Sequence, residues 1–145
     1  MIRSFFILFI ISYVINAYQV IADDPDPHIE LHILDALPNN DIPLKFHCAS
    51  KDDDLGWHYP KVGDDFHFSF RPHLFKKTLF FCHFWWARNE AIFDVYNYDV
   101  AVNCSSDPPI FYCIWKVQED GFYMGPQLNQ LKKMHDWISH KKRDV

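Results

Sequence analysis

Apolar and polar residues alternate with a period of two in three separate stretches, and that pattern constrains the fold more than any other feature of the sequence. Ile29, Leu31 and Ile33 alternate with Glu30 and His32, Leu44, Phe46 and Cys48 with Lys45 and His47, and Phe66, Phe68 and Phe70 with His67 and Ser69. A β-strand points successive side chains to opposite faces, so each stretch reads as a strand with one face toward a core and the other toward water. After Asp107-Pro108-Pro109, Phe111, Cys113, Trp115 and Val117 repeat the pattern, and a short strand follows the Asp120-Gly121 turn. Residues 78–86 are apolar on both faces, as expected for a central strand covered on both sides, and 92–98 are rich in β-branched and aromatic residues. Aromatic residues make up 18% of the chain, enough to fill the space between two stacked sheets. The expected fold is all-β, an antiparallel, immunoglobulin-like β-sandwich of about six to eight strands.

The ends read differently. Phe5-Phe6-Ile7-Leu8-Phe9-Ile10-Ile11 follows a single basic residue, Arg3, and small or β-branched Val20 and Ala22 precede a cut, so residues 1–22 are expected to be a secretory signal peptide. No later stretch is apolar enough to span a bilayer, so no transmembrane segment is expected after cleavage. Residues 23–125 then form the β-sandwich domain, with 23–27 as a loose leader of aspartates and prolines. In 126–145, Leu128, Leu131, Met134 and Ile138 recur at helical spacing behind Pro126, and Lys141, Lys142 and Arg143 crowd the end. This predicts a basic C-terminal helix, with a disordered tail as the alternative.

Four cysteines in an exported chain imply two disulfides. Cys48 and Cys113 fall on the core faces of two strands, which favours joining Cys48 to Cys113 and Cys82 to Cys104. The alternative pairs Cys48 with Cys82 and Cys104 with Cys113 and closes smaller loops. Asn103-Cys104-Ser105 is an N-glycosylation sequon. A formal charge of −5 argues against nucleic acid as a partner.

Positive signs of catalysis are missing. The sequence has no GxSxG elbow, no HExxH helix and no phosphate-cradling glycine loop, so no catalytic residue, metal or cofactor is expected. Asp52-Asp53-Asp54 suggests calcium, but counting from Asp52 the sixth and twelfth positions of an EF-hand loop fall on Trp57 and Gly63 instead of glycine and glutamate. A turn that bonds its own backbone, with Gly56 at positive φ, fits better. His32, His47 and His67 fall at outward positions and read as solvated, while His83 reads as a buried, satisfied histidine. Trp57, Tyr59, Trp85 and Trp86 could stack on sugars, which makes a cell-wall glycan the alternative partner. A hydrolase using His58 and His83 for proton transfer is a third reading.

Several blocks occur together in a fixed order: His47-Cys48-Ala49-Ser50-Lys51-Asp52-Asp53-Asp54-Leu55-Gly56, Phe66-His67-Phe68-Ser69-Phe70, and Thr78-Leu79-Phe80-Phe81-Cys82-His83-Phe84. Phe93-Asp94-Val95-Tyr96, Cys104 with Cys113, Trp115-Lys116-Val117 and Asp120-Gly121-Phe122-Tyr123 complete the series. Over about residues 28–124 the chain resembles the plant self-incompatibility protein family, the secreted S-protein homologues of flowering plants. The resemblance implies a disulfide-bonded, non-enzymatic β-sandwich acting as a secreted ligand for a cell-surface receptor. Recognition is then expected in loops: Lys51, Asp52, Asp53, Asp54, Trp57 and His58 first, then 60–65, 71–77 and 105–109.

Overall fold

In the computed structural model of the protein, which describes residues 2–22, 26–73 and 77–141, the alternating stretches become strands of two five-stranded sheets. Behind a helix, α1 (Ile2–Ala22), come β1 (His28–Asp35), β2 (Lys45–Ser50), β3 (Asp54–His58), β4 (Asp65–Phe70) and β5 (Phe80–Trp86). They are followed by β6 (Asn89–Tyr96), a 3-10 turn (Val100–Asn103), β7 (Ile110–Gln118), β8 (Gly121–Gly125), β9 (Lys132–His135) and β10 (Ile138–Ser139). One sheet has the order β4-β1-β7-β8-β9 and the other β10-β6-β5-β2-β3. The fold is the expected all-β sandwich with two disulfides. It has ten described strands where six to eight were expected, and β1 pairs with β7 in parallel rather than antiparallel. A parallel pair needs a long crossover, and here most of the second sheet lies between β1 and β7.

The pleat fills the interior. Leu31 and Ile33 of β1, Trp115 and Val117 of β7 and Phe122 and Met124 of β8 face Phe46, Cys48, Cys82, Phe84 and Val95 of the other sheet, all buried. Phe84 sits among Phe46, Phe93 and Phe122 at ring-centroid distances of 5.4, 5.3 and 4.9 Å. Residues 78–86 were expected to be covered on both faces, but only Phe80, Cys82 and Phe84 of β5 are buried. Its other face carries half-exposed Phe81, His83 and Trp85, because nothing is layered over that sheet among the described residues. His83 is therefore half-buried on the outside, not buried as expected.

The favoured disulfide pairing is wrong, and the alternative is the observed one: Cys48 bonds Cys82 and Cys104 bonds Cys113. Cys48 and Cys113 both point into the core, but from opposite sheets. Cys82 is the direct antiparallel partner of Cys48, with the Cα atoms 4.1 Å apart. Cys104 reaches Cys113 because Ser105 N–H donates to Tyr112 O (2.9 Å) and Tyr112 N–H to Ser105 Oγ (2.7 Å), folding the chain back on β7.

Neither a C-terminal helix nor a disordered tail is found in 126–141; residues 142–145 lie outside the described ones. The spacing misleads because Leu128 and Ile138 are exposed, whereas Met134 and Trp137 pack on the core. β9 extends the first sheet at β8 and β10 extends the second at β6, so this segment covers one edge of each. β9 approaches β8 so closely that a Cβ on Gly121 (φ +144°) would lie 2.5 Å from His135 O. Trp137 packs tilted against Phe122, ring centroids 4.5 Å apart, and donates Nε1–H to Gln118 O (2.8 Å). The apolar side chains of α1 from Ile2 to Ile15, Phe5 to Ile11 among them, are exposed, and none of these belongs to the core.

Trp137→Ala removes that packing and orphans Gln118 O. It should cost about 2–4 kcal/mol in urea unfolding; a change within error of zero would mean that the segment is merely laid on the sandwich.

Candidate functional site

Strand direction decides which loops meet. β1 and β7 begin, and β2, β4 and β6 end, at the same end of the sandwich, where β5 also begins. The β2–β3 turn, the β4–β5 connection and the β6–β7 connection therefore lie at one end. Three of the four expected recognition loops are there, including 105–109, whose Pro109 O accepts from His28 N–H. The fourth, 60–65, lies at the opposite end, where Asp35 N–H donates to Asp64 O.

A groove of about 500 Å³ opens at the first end, lined by Lys51, Asp52, Asp53, Arg71, His73 and Lys77 among others. Ser50 N–H donates to Asp53 O (2.7 Å) and Asp53 N–H to Ser50 Oγ (3.0 Å), which closes the turn and leaves Asp52 and Asp53 exposed. Across the groove, His73 N–H donates to Thr78 Oγ1 and Tyr98 Oη–H to His73 O. Residues 74–76 of that loop lie outside the described ones. Both signs of charge line this rim, so it suits a polar surface carrying complementary charges.

The candidate recognition segment is not a single loop. Asp54, Trp57 and His58 belong to β3, which the turn-forming residues disguise: Gly56 sits at φ +81° within the strand, beside a register shift in β2. Asp54 Oδ1 accepts from Gly56 N–H (2.8 Å), and this bond, then His47, holds the carboxyl below its usual range. His58 turns inward onto Phe46 and Phe66. Trp57 turns outward, as does His83, so the imidazoles of His58 and His83 lie on opposite faces of one sheet. They cannot share one substrate in the proton-transfer role considered for them.

The outer face of that second sheet carries a row of rings. Trp57 stacks on Trp85 (5.2 Å), Trp85 on His83 (3.6 Å), and Lys45 Nζ lies 5.5 and 4.8 Å from the two indoles. Of the other sugar-stacking candidates, Trp86 faces Trp137 instead, and Tyr59 is exposed beyond β3. The row ends in Glu90, whose two oxygens meet His83 Nε2 and His140 Nε2, the latter at 2.7 Å. His140, then His83, pulls the Glu90 carboxyl below its usual range.

The model of the family described as plant self-incompatibility protein S1 matches residues 30–137. This chain belongs to that family. It is 33% identical over 122 residues to Self-incompatibility protein S1 of Papaver rhoeas, covering 81% of this chain and 83% of that protein. S-protein homolog 5 and S-protein homolog 2 of Arabidopsis thaliana are 40% and 38% identical over 79 and 86 residues, or 54% and 57% of this chain. The matches span 58% and 51%, just over half, of those two relatives. The family match continues through β9 to Trp137, so the family unit includes that edge strand and stops just before β10.

Sequence reasoning found the loops but missed the histidine–carboxylate partnerships. His32 and His47, expected to be solvated, are half-buried against Glu30 and Asp65 and against Asp54. The signal was there for His32, since period two places Glu30 beside it on the strand.

Because the folded Glu90 carboxyl titrates below its ordinary 4.5, its contribution to stability is present above that value and lost as pH falls through the folded value. Glu90→Gln should therefore flatten the acid side of the stability profile, measured as urea midpoints from neutral to acid pH. A constant gap between the two proteins would contradict this.

Proposed function

We propose that this chain is a secreted plant signalling ligand that a cell-surface receptor recognises through the loops around the groove of Lys51, Asp53, Arg71 and Lys77. The observation that carries this is that strand direction brings three separate charged or turn-rich loops to one end of a rigid sandwich. Kinship with Self-incompatibility protein S1 supports the ligand role. The exposed apolar α1 supports a signal peptide over residues 1–22, and the two disulfides suit an oxidising, extracellular destination. On this reading the protein is a ligand and not an enzyme.

The expected outcome of replacing Lys51, Asp52 and Asp53 by alanine, or Arg71 and Lys77 by alanine, is loss of receptor-cell response with stability changed by no more than about 0.5 kcal/mol. Lys61→Ala, at the other end, should leave the response intact. An unchanged response in both groove variants sinks the proposal.

Asn103 lies at the same end, in the 3-10 turn, where its Nδ2–H donates to Val100 O (3.1 Å). We expect it to carry an N-linked glycan in the secreted protein. Intact mass should fall after glycosidase treatment, and an unchanged mass would show the sequon unused.

A second reading, a carbohydrate-binding module, is favoured by Trp57, which is 52% exposed, stacked on Trp85 and flanked by Lys45. A glycan array on the folded protein separates the two. Sugar binding lost on Trp57→Ala, with receptor response retained, would favour the module.

A further inference from the structure

We propose that the β1–β4 pair carries a surface site for a zinc-class divalent cation, ligated by His32 Nδ1, Asp65 and His67, with Glu30 as the residue that positions His32. Registration creates the cluster. His32 and His67 are direct antiparallel partners, Asp65 is two residues from His67 on β4, and Glu30 is two from His32 on β1. The pleat turns all four to the outer face of the first sheet, away from the core.

His32 is held from both sides. Nε2 lies 2.8 Å from Glu30 Oε1 and Nδ1 lies 2.7 Å from Asp65 Oδ2. A neutral imidazole has one N–H; donated from Nε2 to Glu30, it leaves the Nδ1 lone pair facing a carboxylate oxygen that also brings only lone pairs. Two such atoms at hydrogen-bond distance need a cation between them, a proton or a metal. A carboxylate fixing the far nitrogen while the near one binds is the usual support of a metal-ligating histidine.

The third ligand stands ready. His67 stacks over His32 at 5.2 Å, is exposed, and makes no hydrogen bond among the described residues. Ligand atoms of His32, Asp65 and His67 all lie within 4.8 Å of one another. Zinc holds nitrogen and oxygen at about 2.0–2.2 Å, so ligands around one ion stand roughly 3.3–3.5 Å apart. The His32–Asp65 pair, now 2.7 Å apart, must open slightly and the His67 side chain must swing inward. Two imidazoles with one carboxylate select a borderline cation such as zinc over calcium or magnesium, which take oxygen ligands. The exposed face leaves a fourth position to water. The bound ion would clasp edge strand β4 to β1.

The test is zinc titration of the secreted protein without a polyhistidine tag, followed by calorimetry and by histidine-ring nitrogen spectra. One equivalent per chain should bind near neutral pH and more weakly near pH 5, where protons compete for the imidazoles. The His32 Nδ1 and one His67 nitrogen should shift, while calcium leaves them unmoved. His67→Ala, exposed and safe for folding, should weaken binding about tenfold or more, as should Glu30→Ala, with Glu30→Gln restoring much of the loss. His140→Ala, in the other histidine–carboxylate cluster, should change nothing. Absence of saturable zinc binding, equal binding of calcium, or loss in His140→Ala with His67→Ala intact would each overturn the site.

Discussion

The tie between Trp115 and Val95 is the contact on which the two-layer arrangement rests. Trp115, on β7 at the middle of one sheet, is buried, and it donates Nε1–H across the interior to Val95 O on β6 of the other (2.9 Å). Phe93 packs on the indole at 5.1 Å, and Phe122 meets Phe93 edge-on at 4.8 Å. A buried indole N–H without a partner is costly, so the bond favours one relative placement of the sheets and not merely their stacking. The other rings then fill what that placement leaves, Phe84 among Phe46, Phe93 and Phe122.

Once the sheets are placed, their two outer faces and the loop-bearing end become separate chemical surfaces. The face of β3, β2 and β5 presents indoles and a lysine, and that of β1 and β4 presents histidines between carboxylates. The end where β2 and β4 finish presents mixed charge around a groove. Each is built on strands whose inward residues are locked in the core. A scaffold of this kind lets loops vary without disturbing the fold.

Legibility followed the range of the interaction. β1, β2, β4 and β7 were readable because period two is local to each strand. β3 was hidden because Asp54 and Gly56 look like turn residues, and only its pairing with β2 makes them a strand with a bulge. β9 and β10 were hidden because a few apolar residues at helical spacing carry little weight against two open sheet edges waiting to be paired. For the candidate site, the Ser50–Asp53 turn was readable, but its meeting with Arg71 and Lys77 was not.

By itself, then, the sequence determined which residues of β1, β2, β4 and β7 face inward, that the chain builds a sandwich, that four cysteines make two bridges, and the family through the order of its blocks. These follow from alternation and composition, which are properties of short segments. The tertiary structure alone decided that Cys48 takes Cys82, that three loops share one end, that His58 and His83 are separated, and that His32 meets Asp65 and His67. Those are matters of register between strands far apart in the chain, where a slip of one residue would turn every side chain to the other face.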